Sequence, residues 1–159
     1  MKKEQFMWGL SRLFMGWIFF WAFIDKLFGL GFATTKENAW LNGGSPTTGF
    51  LTNAPKGPFA PIFHAMAGSA FVDWLFMLGL LLIGLALILG IGTRIASYAG
   101  ALMVFLIWLA VLPPDNNPFM DEHVIYVVLL ISLAFVDAGN FLGLGKWWKD
   151  VVKKHHWLM

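Results

Sequence analysis

After Asp73 the chain runs WLFMLGLLLIGLALILGIG, with no charged or amide side chain anywhere in the stretch. A helix packed on a soluble core shows a polar stripe on its outer face, and this segment has none to show. Its length matches the roughly 20 residues needed to cross a bilayer. Three more segments are of the same kind, giving expected spans of about Phe6–Leu30, Ala70–Leu89, Ile95–Leu112 and Met120–Phe141, the third starting as early as Arg94. Across 159 residues the apolar fraction is 58% and the charged fraction 13%, far from a soluble average. The expected fold is all-α: an integral membrane four-helix bundle forming a single membrane domain over residues 1–159, with a long extracytoplasmic loop between helices 1 and 2.

The charges orient such a bundle. Lys2 and Lys3 precede the first span, Arg94 sits in the short link between the second and third, and Lys146, Lys149, Lys153 and Lys154 follow the fourth. The other connections carry Lys36, Glu37, Lys56, Asp115, Asp121 and Glu122, a balanced or acidic set. The positive-inside rule then places both termini and the Arg94 turn in the cytoplasm. The expectation is a multi-pass protein of the cell membrane with membrane lipid as its surroundings. The first span is too long and aromatic for a signal peptide and is expected to be retained. A small positive net charge is no nucleic-acid signature. The chain has no cysteine, which excludes thiolate catalysis, disulfide exchange and Cys-ligated clusters; no metal or covalent cofactor is expected.

GIGTR between the second and third spans is short enough only for a hairpin, and Pro113, Pro114 and Pro118 separate the third from the fourth. Asp121 and Glu122 fall in the first turn of the fourth, where negative charge suits the helix dipole. Residues 142–159, containing KWWKDVVKKHHW, read as an amphipathic tail on the cytoplasmic membrane face. The outer connection, residues 31–69, contains Trp40, Phe50, Phe59 and Phe63, more aromatic than a free linker. It is expected to fold back over the outer mouth. Its Gly43-Gly44-Ser45-Pro46-Thr47-Thr48 segment reads either as N–H and O–H donors for an anion or as an ordinary turn.

Ionisable groups at membrane depth usually face protein or a watery cavity. Asp25 and Lys26 are neighbours about 100° apart around a helix and cannot pair face to face. Arg12 shares a face with Lys26. With the topology above, Asp25, Lys26, Asp73, Asp121, Glu122 and His123 gather at the outer end, joined by His64 from the loop. A lysine and a histidine among hydroxyl donors suit a small oxyanion. The competing readings are snorkelling for Lys26 and capping for Asp121, Glu122 and His123. Arg12, Arg94 and Asp137 lie toward the inner end, where Asp137 can pair with either arginine. Trp17, Phe19, Phe20, Trp21 and Phe23 make the first span aromatic all round, suited to stacking on a quinone ring or simply to packing.

Leu10-Ser11-Arg12-Leu13 followed by Gly16, then Asp25-Lys26-Leu27-Phe28-Gly29, then Gly84 and the run from Leu87 to Arg94, resemble the DoxX/DoxD family of small four-helix membrane proteins. The long outer loop and the Asn117-Pro118…His123 stretch are more similar to the DoxD branch. That resemblance implies the membrane subunit of a thiosulfate:quinone oxidoreductase, working beside a small DoxA-like subunit. The reaction joins two thiosulfates into tetrathionate and reduces a membrane quinone. It implies Lys26 and His123 as candidate anion-site residues, with Arg12 a further family position; together with Asp25, Lys26 and His123 are the catalytic candidates. Arg12, Ser45, Thr47, Thr48, His64, Asp121 and Glu122 are the substrate-binding candidates. One departure is that many DoxX members carry a glutamate on the second span where this chain has Leu80. A non-catalytic anchor for a soluble redox enzyme, a small-anion transporter and a homo-oligomer remain alternatives at this point.

Overall fold

The computed structural model describes residues 1–115 and 117–153. It is all-helical, with no strand among the described residues. In chain order, helix α1 spans Lys3–Phe28, α2 Thr48–Asn53, α3 Ala60–His64, α4 Ala70–Leu89, α5 Thr93–Ala110, α6 Glu122–Phe135 and α7 Gly145–Val151. Helices α1, α4 and α5 are each long and apolar enough to cross a membrane. They coincide with the first three expected spans to within a few residues. The fourth is shorter than expected. Helix α6 has 14 residues, about 21 Å at 1.5 Å per residue, against a hydrocarbon core of about 30 Å. It starts late because Asp121 caps it, accepting from the His123 amide at 3.0 Å. It stops early because Asp137 turns into the left-handed region, with φ 50°, and a short 3₁₀ turn, Ala138–Asn140, follows.

Helix α1 packs on α4, α4 on α5, α5 on α6, and α6 back onto α1. Buried positions recur at helical spacing, as in Arg12, Met15, Gly16 and Phe19 of α1 and Met77, Leu80, Gly84 and Leu87 of α4. The α1–α4 pair is drawn close by two glycines. A methyl group at Gly16 would lie 2.8 Å from the Ile88 amide nitrogen, and one at Gly84 would lie 2.7 Å from that of Phe20. Membrane helices lack a hydrophobic drive toward each other, so backbone approach through small residues is how they gain contact.

The outward faces remain apolar. Only 28%, 33% and 39% of the apolar windows of α1, α4 and α5 are buried, and Phe14, Trp17, Phe71, Leu82 and Leu102 are all exposed. Contiguous apolar surface on this scale marks a face made for another apolar phase.

Residues 31–69 fold over one end of the packed helices. The Lys56 amide donates to the Ala110 carbonyl at 2.9 Å. Trp40 meets Trp74 edge-on at 4.6 Å, and His64 Nδ1 donates to the Leu51 carbonyl at 2.8 Å. At the opposite end α7 rests against the Ala138–Asn140 turn. The part of the expected amphipathic tail from Lys154 onward lies outside the described residues.

Candidate functional site

Successive antiparallel helices bring the C-terminus of α1, the N-terminus of α4, the C-terminus of α5 and the N-terminus of α6 to one end, the end covered by residues 31–69. Asp25 is buried there, 1% exposed. Its carboxylate accepts from the Phe32 amide at 3.3 Å and the Ala33 amide at 2.9 Å. Its carbonyl accepts from Gly29, whose left-handed backbone ends the helix. The first turn of the covering segment is thus pinned to α1 by Asp25. Lys26 beside it is half-buried. Its ammonium makes no hydrogen bond and no ion pair among the described residues.

The hydroxyl-rich segment finds its acceptor inside the protein. Ser45 Oγ donates to Asp73 Oδ1 at 2.9 Å and Thr47 Oγ1 to the same oxygen at 2.5 Å. Ser45 Oγ also accepts from the Thr48 amide at 3.0 Å and lies 2.7 Å from Thr48 Oγ1. Thr48 Oγ1 in turn accepts from the Gly68 amide at 3.0 Å. Asp73 is 8% exposed, and a buried carboxylate needs such donors. Ser45, Thr47 and Thr48 are therefore brought together, around Asp73 in the first turn of α4. His64 is held at Leu51 and belongs to the same covering segment.

Asp121, Glu122 and His123 are also brought together, with side-chain ligand atoms within 4.8 Å of one another. Both Asp121 oxygens are engaged with His123, one with its amide and one with Nδ1 at 2.9 Å. Asp121 thereby orients the imidazole, with Nδ1 as its donor and Nε2 at the far side of the ring. Glu122 is exposed. His123 shares a helix face with Val127, one turn on. Val127 lines an apolar groove of about 310 Å³ together with Phe105, Trp108, Phe119, Met120 and Val124. Trp108 stacks on Phe105 at 5.6 Å and is fixed by its indole N–H donating to the Phe119 carbonyl at 3.0 Å.

Arg12 stands apart from this group. It lies fourteen residues before Lys26, about 21 Å along the helix, and is wholly buried. Its guanidinium donates to the carbonyls of Leu87, Ile88 (3.0 Å), Phe141 (3.2 Å) and Leu142 (2.9 Å). Two of these are carbonyls in the last turn of α4, which lack intrahelical donors. The other last-turn carbonyls are met by Gly90, Ile91 and Leu144 amides. Arg12 therefore binds α1, the end of α4 and the segment after α6 into one knot. Asp137 does not pair with it. Asp137 bonds Arg94 at 3.1 Å and Lys149 at 3.0 Å. Burial acts to raise the Asp137 carboxyl, but Lys149 and Arg94 outweigh that and hold it below the usual carboxylate range.

The family model for DoxX matches residues 7–113, from α1 through the end of α5. The chain belongs to the DoxX family. With its apolar helices, this DoxX protein is a multi-pass membrane protein. No curated protein and no solved structure matches it. The DoxX match takes in Arg12, Asp25, Lys26, Ser45 and Asp73, and leaves α6, with Asp121 and His123, beyond its end.

Two features of this end went beyond the sequence expectations. Asp73 was placed at the outer end, but not as the hub of the hydroxyl network that Ser45 and Thr47 make with it. The groove between α5 and α6 had no signal, because Phe105, Trp108 and Val127 are typical of any lipid-facing helix.

Proposed function

We propose that the protein is the membrane subunit of an oxidoreductase that oxidises thiosulfate at its outer end and passes the electrons to a membrane quinone. The observation that carries this reading is the apolar, aromatic groove beside the His123–Asp121 pair, at the same end as the unpartnered Lys26. Two thiosulfates each lose one electron and join through a new S–S bond. The quinone takes the two electrons and two protons. Lys26 offsets the charge of the anion. His123, held by Asp121 through Nδ1, passes protons through Nε2. The quinone ring lies in the groove against Trp108. Ser45 and Thr47 are committed to Asp73, and Thr48 to Ser45 and Gly68, so the three serve as the wall of the site rather than as donors to the anion.

The same reading makes α6 a fourth span, extended at its N-terminal end by apolar residues such as Phe119 and Met120 and ending before Asp137. It also orients the protein in the plasma membrane. The end bearing Lys2, Lys3, Arg94, Lys146, Lys149 and Lys153 against Glu4, Asp137 and Asp150 is cytoplasmic. The opposite end carries Asp25, Glu37, Asp73, Asp115, Asp121 and Glu122 against Lys26, Lys36 and Lys56, an acidic surplus that suits the outside.

Quinone reduction by the purified protein, followed with a soluble quinone analogue after adding thiosulfate, tests the proposal. Wild-type turnover falling at least about 100-fold in His123→Ala, as expected for loss of a proton-transfer group, and falling likewise in Lys26→Ala, supports it. A folded wild-type protein with no turnover, alone or with a DoxA-like subunit, sinks it. The cysteine-free chain then favours an anchor for a separate redox enzyme.

A further inference from the structure

One part of the covering segment is poorly suited to standing in water. Between Lys56 and Asp73 the chain reads GPFAPIFHAMAGSAFV, with no Asp, Glu, Lys or Arg. Both ends of this stretch are tied to ends of spanning helices. The Lys56 amide donates to the carbonyl of Ala110, the last residue of α5, at 2.9 Å, and Ser69 leads directly into α4 at Ala70. Helix α4 has 20 residues, about 30 Å at 1.5 Å per residue, which equals the thickness of the hydrocarbon core. Its first residue therefore stands at the edge of that core, and the last residue of antiparallel α5 stands beside it. Residues 57–69 run from one to the other, along the membrane boundary rather than away from it.

The stretch has two unlike sides. Phe59, Ile62 and Met66 follow one another at three and four residues through α3 and the turn after it, which places them on one face. All three are exposed, Ile62 by 63%. His64 lies about 200° around the helix from Ile62 and bonds the Leu51 carbonyl of the cover. The Gly68 amide likewise donates to Thr48 Oγ1. Polar groups are thus used inward. The apolar face leads on in the chain to Phe71 and Trp74, exposed in the first two turns of α4.

We propose that residues 57–69 lie in the membrane interface, with Phe59, Ile62 and Met66 inserted among the lipids of the leaflet at that end. Lipid is the partner because the face begins and ends at lipid-facing helices and no charged group interrupts it. Such a face enters about 5–10 Å into the boundary between headgroups and acyl chains. The leaflet thereby holds one edge of the cover over the outer end. This assignment is independent of the redox reading.

The test uses the full chain, which has no cysteine. The variants Ile62→Cys, Met66→Cys and Leu41→Cys each carry an NBD fluorophore and are reconstituted in phosphatidylcholine vesicles. Iodide on both sides of the membrane reports contact with water, and lipid bearing a nitroxide near its headgroup reports contact with the leaflet. Emission from positions 62 and 66 is expected to shift to the blue, to be quenched by the nitroxide lipid and to escape iodide. Leu41, exposed on the same cover, should show the opposite pattern. Iodide quenching as strong at position 62 as at position 41 overturns the proposal. Shielding of positions 62 and 66 from both quenchers means that a second copy covers the face, and overturns it too.

Discussion

Arg12 and Asp73 show how two charges placed by sequence at membrane depth are resolved by quite different means. Arg12 takes backbone carbonyls and Asp73 takes side-chain hydroxyls, and neither pairs with an opposite charge. Arg12→Gln leaves carbonyls at the α4 end and at Phe141 and Leu142 short of donors. It is expected to cost about 3 kcal/mol or more, read as a lower melting temperature in detergent. Asp73→Ala frees Ser45 and Thr47 and should expose residues 31–69 to limited proteolysis, whereas Asp73→Asn, which keeps Oδ1 as an acceptor, should protect them. The presence of charged groups at these positions was legible from the sequence. Their partners were not, because backbone carbonyls and loop hydroxyls carry no positional signal until the fold brings them near. The sequence left Ser45, Thr47 and Thr48 either as donors to an anion or as an ordinary turn; in the structure Ser45 and Thr47 donate to Asp73, and Thr48 bonds with Ser45 and Gly68.

Among the helices, the long apolar runs announced α1, α4 and α5 directly, since hydropathy and length alone decide whether a segment can span. The end of α6 was hidden. A left-handed aspartate at position 137 has no mark in the sequence comparable to glycine, and the apolar residues continue past it to Phe141. The α1–α4 contact makes a sharper claim. Gly84→Ala places a methyl against the Phe20 backbone, so the helices must part, at a cost of about 1–3 kcal/mol. The same substitution at Gly49, which has open space, should be silent in the same melt. The clip joining α5 and α7 responds to acid. Asp137 titrates below its unfolded value, so its contribution is complete above about pH 4 and is lost as pH falls through the lowered pKa. Wild-type melting temperature should therefore drop between pH 5 and the acid limit more than that of Asp137→Asn, which has no such carboxyl to protonate.

For the whole molecule, the separation of charge between its two ends yields a direct test of orientation. The chain has no cysteine, so a single cysteine at exposed Leu41 or at Lys146 can be labelled without background. With the basic end cytoplasmic, a membrane-impermeant maleimide added to intact cells should modify Leu41→Cys and spare Lys146→Cys; the reverse pattern inverts the protein. The knot around Arg12 also bears on how such a molecule is made. Its guanidinium belongs to α1, yet two of its acceptors, Phe141 and Leu142, are synthesised 129 and 130 residues later. Until they arrive, a cation sits in the first span with its shell half complete. A chain stopped before Phe141 leaves the seal around Arg12 unfinished.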